Sequence, residues 1–143
     1  MAIVIRELTP EEFPLVDHLW EEYRGKETDL TIDRVFGAFA DGELVGSTRV
    51  RHHPEGLEVD GVFVTEAHRS EGLAGRLVQA MLDELGSDTI WLHSTIPLVG
   101  FYGSFGWVPI DEKALPPTIR ERLASCSGNM KGCGVSPMRR DPA

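Results

Sequence analysis

Val62-Phe63-Val64-Thr65-Glu66-Ala67-His68-Arg69-Ser70-Glu71-Gly72-Leu73-Ala74-Gly75-Arg76-Leu77 is the stretch that decides how this chain is read. Its first residues end a β-rich run, Leu57 to Val64, that reads as a strand. From Leu73 onward, Leu73, Leu77, Val78, Met81, Leu82 and Leu85 recur at helical spacing, and Gly86 ends the pattern. A strand that enters a glycine-containing turn and then a helix leaves backbone N–H groups without intrahelical partners at the positive end of the helix dipole. Such a turn can bind phosphate oxygens. Gly72, Ala74 and Gly75 keep side chains out of the way, and Arg69 adds charge. Glycine in a strand-to-helix turn also serves backbone geometry alone, so the turn by itself leaves both readings open.

Two common phosphate loops fail here. A Walker loop ends in Gly-Lys-Ser/Thr, whereas this one has Gly75-Arg76-Leu77. A dinucleotide fingerprint needs three spaced glycines in the first strand–helix–strand unit; this turn has other spacing and lies mid-chain.

Working outward, Ala2 to Leu8 reads as a strand. Thr9-Pro10-Glu11-Glu12 starts a helix, with Thr9 as cap and Pro10 in its first turn. Phe13, Val16, Leu19, Trp20 and Tyr23 form its apolar stripe, and Gly25 is its stop. Val35 to Ala40 and Leu44 to Val50 flank the turn Asp41-Gly42 as a hairpin. His52 to Gly56 reads as a loop. Gly61, inside the next strand, marks a bulge or a close backbone approach. Thr89 to His93 is a strand, Pro97 to Ser104 a short helix and Phe105 to Ile110 a strand. Thr118 to Ala124 is a helix opened by Leu115-Pro116-Pro117, Ser125 to Gly134 is a loop, and Cys133 to Arg139 is a last strand that Pro137 assigns to an edge. Strands alternating with helices in this way predict a single mixed α/β domain over 1–143.

Composition sets bounds on function. The 143 residues are 41% hydrophobic and carry a formal net charge of −9, which argues against a nucleic-acid surface. No stretch approaches the ~20 apolar residues needed to span a bilayer. With two cysteines, Cys126 and Cys133, and no signal-peptide pattern, a cytoplasmic protein with reduced thiols is expected. Neighbouring His52 and His53 would point opposite ways on an extended chain, and His93 reads as a hydrogen-bonded core histidine. Six residues separate Cys126 from Cys133, with no second metal-like pair, so no metal is expected.

Val62-Phe63-Val64, then Arg69-x-x-Gly72-x-Ala74, then an amphipathic helix, resembles the pyrophosphate-binding region of the GNAT superfamily of N-acetyltransferases. Tyr102-Gly103-Ser104-Phe105-Gly106-Trp107 is similar to that family's Tyr-x-x-x-Gly-Phe element, with Trp107 at the Phe position. The order of elements is similar along essentially the whole chain. The resemblance implies a central, mixed, mostly antiparallel twisted sheet flanked by helices and splayed between its fourth and fifth strands. It implies acetyl-coenzyme A as co-substrate. Val62, Phe63 and Val64 would pair with the pantetheine arm, and Arg69, Ser70, Glu71, Gly72, Leu73, Ala74 and Gly75 would cradle the pyrophosphate. Gly61 would lie at the bulge where two strands part. Many members carry an asparagine seven residues before the tyrosine; Thr95 holds that place, with Ser94 beside it. Leu115-Pro116, Cys126, Cys133 and Met138 loosely resemble the tail of N-acetylglutamate-synthase-like members, which implies an amino-acid acceptor.

Acetyl transfer to an amine needs a proton acceptor, donors for the oxyanion and a proton for the leaving thiolate. A lysine-like amine has a pKa of about 10.4, so it arrives mostly protonated. The resemblance places the general acid at Tyr102. A phenol, with a pKa of about 10 against about 8.5 for a thiol, keeps its proton at neutral pH and can hydrogen-bond the leaving sulfur. Glu58 and Asp60 alternate with Val62 and Val64 and are candidates for the base or for holding a water; a solvated acidic strand face explains them equally well. Glu21, Glu22 and Glu27 could also line an amine site. The expected acceptor is a small-molecule amine or amino acid. A non-catalytic acyl-coenzyme A sensor and a protein N-terminal or lysine acetyltransferase are the alternatives. No membrane partner is expected, and the oligomeric state stays open, a homodimer included.

Overall fold

A computed structural model describes residues 2–20, 28–121 and 135–142. Its strands are β1 (Ile3–Glu7), β2 (Asp33–Ala40), β3 (Glu43–His53), β4 (Gly56–Val64), β5 (Ile90–Thr95), β6 (Val108–Pro109) and β7 (Val135–Arg140). Helices α1 (Phe13–Trp20), α2 (Leu73–Leu85) and α3 (Val99–Gly103) lie between them. A fourth, α4, begins at 117. The strands form one sheet in the order β1-β2-β3-β4-β5-β7-β6. β4 and β5 run parallel, whereas β1–β2, β2–β3, β5–β7 and β6–β7 are antiparallel. This is the expected mixed α/β order. Backbone contacts group the chain into two compact units, residues 1–51 with 61–85 and residues 52–60 with 86–143.

In the first unit the sheet is buried on both faces. Phe13, Val16 and Trp20 of α1 pack on Leu8, Val35 and Phe39. Leu73 and Leu77 of α2 pack on Ala38, Ala40, Val45 and Val64. Side chains alternate across a strand, so β2 supplies Val35 and Phe39 to one helix and Ala38 and Ala40 to the other. The Asp41-Gly42 turn has φ values of 50° and 87°, the left-handed pair that suits a two-residue hairpin. Three buried polar side chains here are paired. Trp20 Nε1 donates to Ser47 Oγ at 2.6 Å, and Arg49 lies 4.4 Å over the Trp20 ring and donates to Thr28 Oγ1 at 3.0 Å. Arg51 grips Asp33 with two hydrogen bonds of 2.9 Å.

In the second unit Trp107 Nε1 donates to the Ile90 carbonyl at 3.0 Å, and Arg140 Nε donates to the Phe105 carbonyl at 2.7 Å. Leu115 and Ile119 cover Trp91 and Ile110. Three sequence expectations change in this unit. β3 runs on through His52 and His53, so these are strand residues, and only Pro54 and Glu55 turn before β4 begins at Gly56. Gly56 permits this tightness with φ 153°, and a Cβ there would meet the Trp91 ring at 2.5 Å. The strand expected over 105–110 is only Val108–Pro109. Pro137 is not on an edge, because β7 lies between β5 and β6. It is tolerated because its carbonyl accepts from Ile110 N at 3.0 Å, so its missing N–H faces the point where β6 has already ended and the ladder to β5 loses nothing.

Gly25, Glu21, Glu22 and Glu27 lie outside the described residues, as do Cys126, Cys133 and the loop expected between 125 and 134. Among the described residues no helix is long and apolar enough to cross a membrane.

The start of α1 carries a pH-dependent contact. Glu12 accepts two hydrogen bonds from Arg6, at 2.8 and 2.7 Å, and one from the Thr9 N–H at 2.9 Å. The Arg6 guanidinium, helped by the Thr9 amide, holds the Glu12 carboxyl down to about 2. Its folded value lies below the unfolded value of about 4.3, so the stabilisation is complete above that pH and fades as pH falls toward 2. The melting-temperature gap between Glu12→Gln and the parent should therefore be full at pH 6, shrink below about pH 4 and close only as pH falls through about 2; a constant gap would remove the Arg6–Glu12 contact from acid unfolding.

Candidate functional site

After Val64 the chain makes a 3-10 turn (Glu66–His68), then turns left-handed at Ser70, φ 72°, and at Gly72, φ 77°, before α2 begins at Leu73. The first helical bond runs from Arg76 N to the Gly72 carbonyl at 3.2 Å, so the amides of the first turn have no intrahelical acceptor. Residues 69–72 are exposed, and a Cβ at Gly72 would meet nothing within 4 Å. Leu73 is buried on the α2 core, which leaves only its backbone to face a ligand. Arg69 Nε donates to the Val64 carbonyl at 2.9 Å, and its guanidinium carbon sits 5.7 Å from the Phe63 ring centre. Arg69 thus ties the end of β4 to the turn. A cavity of about 1060 Å³ opens beside it, lined among others by Phe63, Thr65 and Arg69 and by Leu15, His18 and Leu19 of α1. The exposed turn at residues 69–72, with this open space at Arg69, fits a diphosphate group.

Gly61 has φ 132°, a conformation that disfavours any other residue, and its carbonyl accepts from Thr48 Oγ1 at 3.0 Å. Beyond Gly61, Val62 and Val64 pack with Leu73 and Leu77, and Phe63 turns toward the α1 cluster. The parallel ladder of β4 and β5 joins Leu57–Val59 to Ile90–Leu92 and goes no further, although β5 keeps pairing with β7 through Thr95. The splay expected between the fourth and fifth strands begins there.

Glu58 and Asp60 do not form a solvated face. They are 1% and 3% exposed. Glu58 Oε1 lies 2.7 Å from His53 Nε2, and Glu58 Oε2 lies 3.2 Å from His93 Nδ1. The two histidines were not foreseen as partners of Glu58. The tight turn at 54–55 and the parallel register of β5 bring them in, and neither is visible without the strand ends. Among the described residues no group of three or more His, Cys, Asp or Glu side chains is placed to hold a metal ion.

Tyr102 lies on α3, 5% exposed, with Phe101 and Trp107 edge-on at ring distances of 5.2 and 5.9 Å. Gly106 takes φ 103° to bring Trp107 back onto this ring. Thr95 is exposed at the end of β5, and the Ser94 hydroxyl donates to the Thr95 carbonyl at 2.7 Å. Ser94 therefore has its proton committed to the main chain.

The sequence profile of the acetyltransferase (GNAT) domain matches residues 5–117. No curated protein matches the chain. Among solved structures, the N-acetylglutamate synthase of Neisseria gonorrhoeae, complexed with coenzyme A and N-acetyl-glutamate, is 19% identical with a TM-score of 0.72, over 98% of this chain and 35% of that one. The chain thus spans about a third of the synthase's length. The ribosomal-protein-S18-alanine N-acetyltransferase of Escherichia coli is 14% identical with a TM-score of 0.69, over 99% of this chain and 96% of that one. Arabidopsis thaliana Naa50, in complex with the bisubstrate analogue CoA-Ac-MVNAL, is 14% identical with a TM-score of 0.70, over 99% of each chain.

The turn itself makes a prediction. Gly72→Ala meets no neighbour but forces a side chain into left-handed backbone, so it should cost about 1 kcal/mol of stability in denaturant unfolding. An unchanged midpoint would show that the left-handed turn is not kept in solution.

Proposed function

Because the chain belongs to the GNAT acetyltransferase family, we propose that it moves the acetyl group of acetyl-coenzyme A to a primary amine of a small molecule or amino acid, by direct attack and within one domain formed by both units. The observation that carries this reading is the exposed turn from Arg69 to Gly72 at the start of α2, whose first-turn amides have no intrahelical acceptor, with the open space at Gly72. The synthase and Naa50 structures, complexed with coenzyme A and with the bisubstrate analogue CoA-Ac-MVNAL, support the same co-substrate.

Bound acetyl-coenzyme A supplies an acyl carbon activated as a thioester. Backbone amides of residues 69–75 hold its pyrophosphate, and the main chain of Val62, Phe63 and Val64 lies along its pantetheine arm. Thr95, exposed at the end of β5, offers the same arm a hydroxyl. Tyr102, whose reference pKa of about 10 keeps it protonated at neutral pH, hydrogen-bonds the departing sulfur and protonates it as the carbon–sulfur bond breaks, regaining its proton from the acylated nitrogen. Burial between Phe101 and Trp107 fixes its ring for that role.

A protein N-terminus is the second reading of the acceptor. The chain matches the S18-alanine enzyme and Naa50 over nearly their full lengths but the synthase over only 35% of its own. Thiol release measured across free amino acids, polyamines and short peptides with free N-termini separates the two readings.

Acetyl-coenzyme A at a hundred times its Kd should stabilise the fold by about 2.7 kcal/mol, a melting shift of several degrees. No shift at millimolar concentration would sink the proposal. Tyr102→Phe should lower kcat by about a hundredfold or more with cofactor affinity retained. Unchanged turnover would take the acid role from Tyr102.

A further inference from the structure

The two outer strands of the sheet differ. β6 is only the two residues Val108–Pro109, and its proline gives another chain little to pair with. β1 runs five residues, Ile3–Glu7, with neither proline nor lysine, and among the described residues no strand pairs with its outer side. The register fixes which backbone groups lie there. Leu8 N donates to the Val35 carbonyl at 2.8 Å and Asp41 N to the Ala2 carbonyl at 2.9 Å, with Val4 opposite Phe39 and Arg6 opposite Gly37 between them. Bonded and non-bonded pairs alternate in an antiparallel ladder. Val4 and Arg6 therefore turn their amides and carbonyls toward β2, and those of Ile3, Ile5 and Glu7 point outward.

Charge usually defends such an edge. Here both charges on β1 are occupied within the chain. Arg6 gives two hydrogen bonds to Glu12, at 2.8 and 2.7 Å, and its guanidinium lies 4.3 Å over the Phe39 ring. Glu7 accepts two from Arg34, at 2.8 and 2.6 Å. The rest of the strand is apolar: Val4 is 52% exposed, and Ile3 and Ile5 are partly buried against the α2 cluster. The strand is also complementary to itself. Turned about a two-fold axis at Ile5, it sets Ile5 opposite Ile5, Ile3 opposite Glu7 and Val4 opposite Arg6 of a second copy. Each outward amide and carbonyl then meets its counterpart, about six hydrogen bonds in all. A contact of this kind uses up the edge on both copies and closes at two subunits.

We propose that β1 pairs antiparallel with β1 of a second copy of this chain, about a two-fold axis at Ile5, so that two sheets join into one. A pair of strand edges buries less than a standard interface, so a dissociation constant on the order of 10–100 µM suits it. β6, blunted by Pro109, does not carry the sheet further, and assembly stops at the dimer. The proposal is independent of acetyl transfer, since neither the turn at 69–72 nor Tyr102 takes part in it.

Sedimentation velocity of the whole chain, from about 5 to about 500 µM, should show monomer giving way to dimer. Hydrogen exchange of the Ile3, Ile5 and Glu7 amides should slow over the same range. Val4→Lys alters a half-exposed side chain, so its melting temperature should stay within about 2 °C of the parent. It sets a lysine opposite Arg6 of the other copy and should weaken the dimer about tenfold. Val4→Glu faces the same arginine with the opposite charge and should hold the dimer as the parent does, or more tightly. Equal dimer strength in the two variants, whether kept or lost, overturns the pairing. A chain still monomeric at about 500 µM, its edge left to water or to an unlike strand, overturns it too. So does a dimer in which the three outward amides exchange at the monomer rate. Thiol release from acetyl-coenzyme A should match between the parent and Val4→Lys, so a failure here leaves the acetyl-transfer reading standing.

Discussion

The parallel ladder between β4 and β5 stops after three residue pairs, and most of the site's character follows from that. A strand normally satisfies its amides and carbonyls against both neighbours. Where pairing ends, those groups must find other partners. β5 continues against β7, so its far side remains satisfied. β4 changes direction at Gly61, whose positive φ is open only to a residue without a side chain, and the Gly61 carbonyl is taken by the Thr48 hydroxyl. The ladder with β5 does not extend to Val62–Val64.

The second consequence concerns the turn after β4. Two left-handed residues, Ser70 and Gly72, redirect the chain before α2 starts at Leu73. A non-glycine residue in that conformation costs about 1–2 kcal/mol, so the turn persists because its surroundings hold it. Arg69 is one such hold, bonded back to the Val64 carbonyl, and buried Leu73 is the other. The arginine of the Arg-x-x-Gly pattern therefore shapes the turn as well as charging it.

Sequence alone carried the fold a long way because its signals are local. The stripe of α2, the Asp41-Gly42 hairpin and the strand-to-helix turn each depend on residues close together in the chain. Tyr102 and Trp107 were legible for the same reason. The buried cluster was not. Glu58 is five residues from His53 and thirty-five from His93, and the three meet only because β3 turns tightly into β4 and β5 lies parallel beside it. Reading His52 and His53 as a loop hid the first of these contacts. Pro137 misled in a related way: proline bars a strand from a ladder only on the side where its N–H would point, and here that side lies past the end of β6.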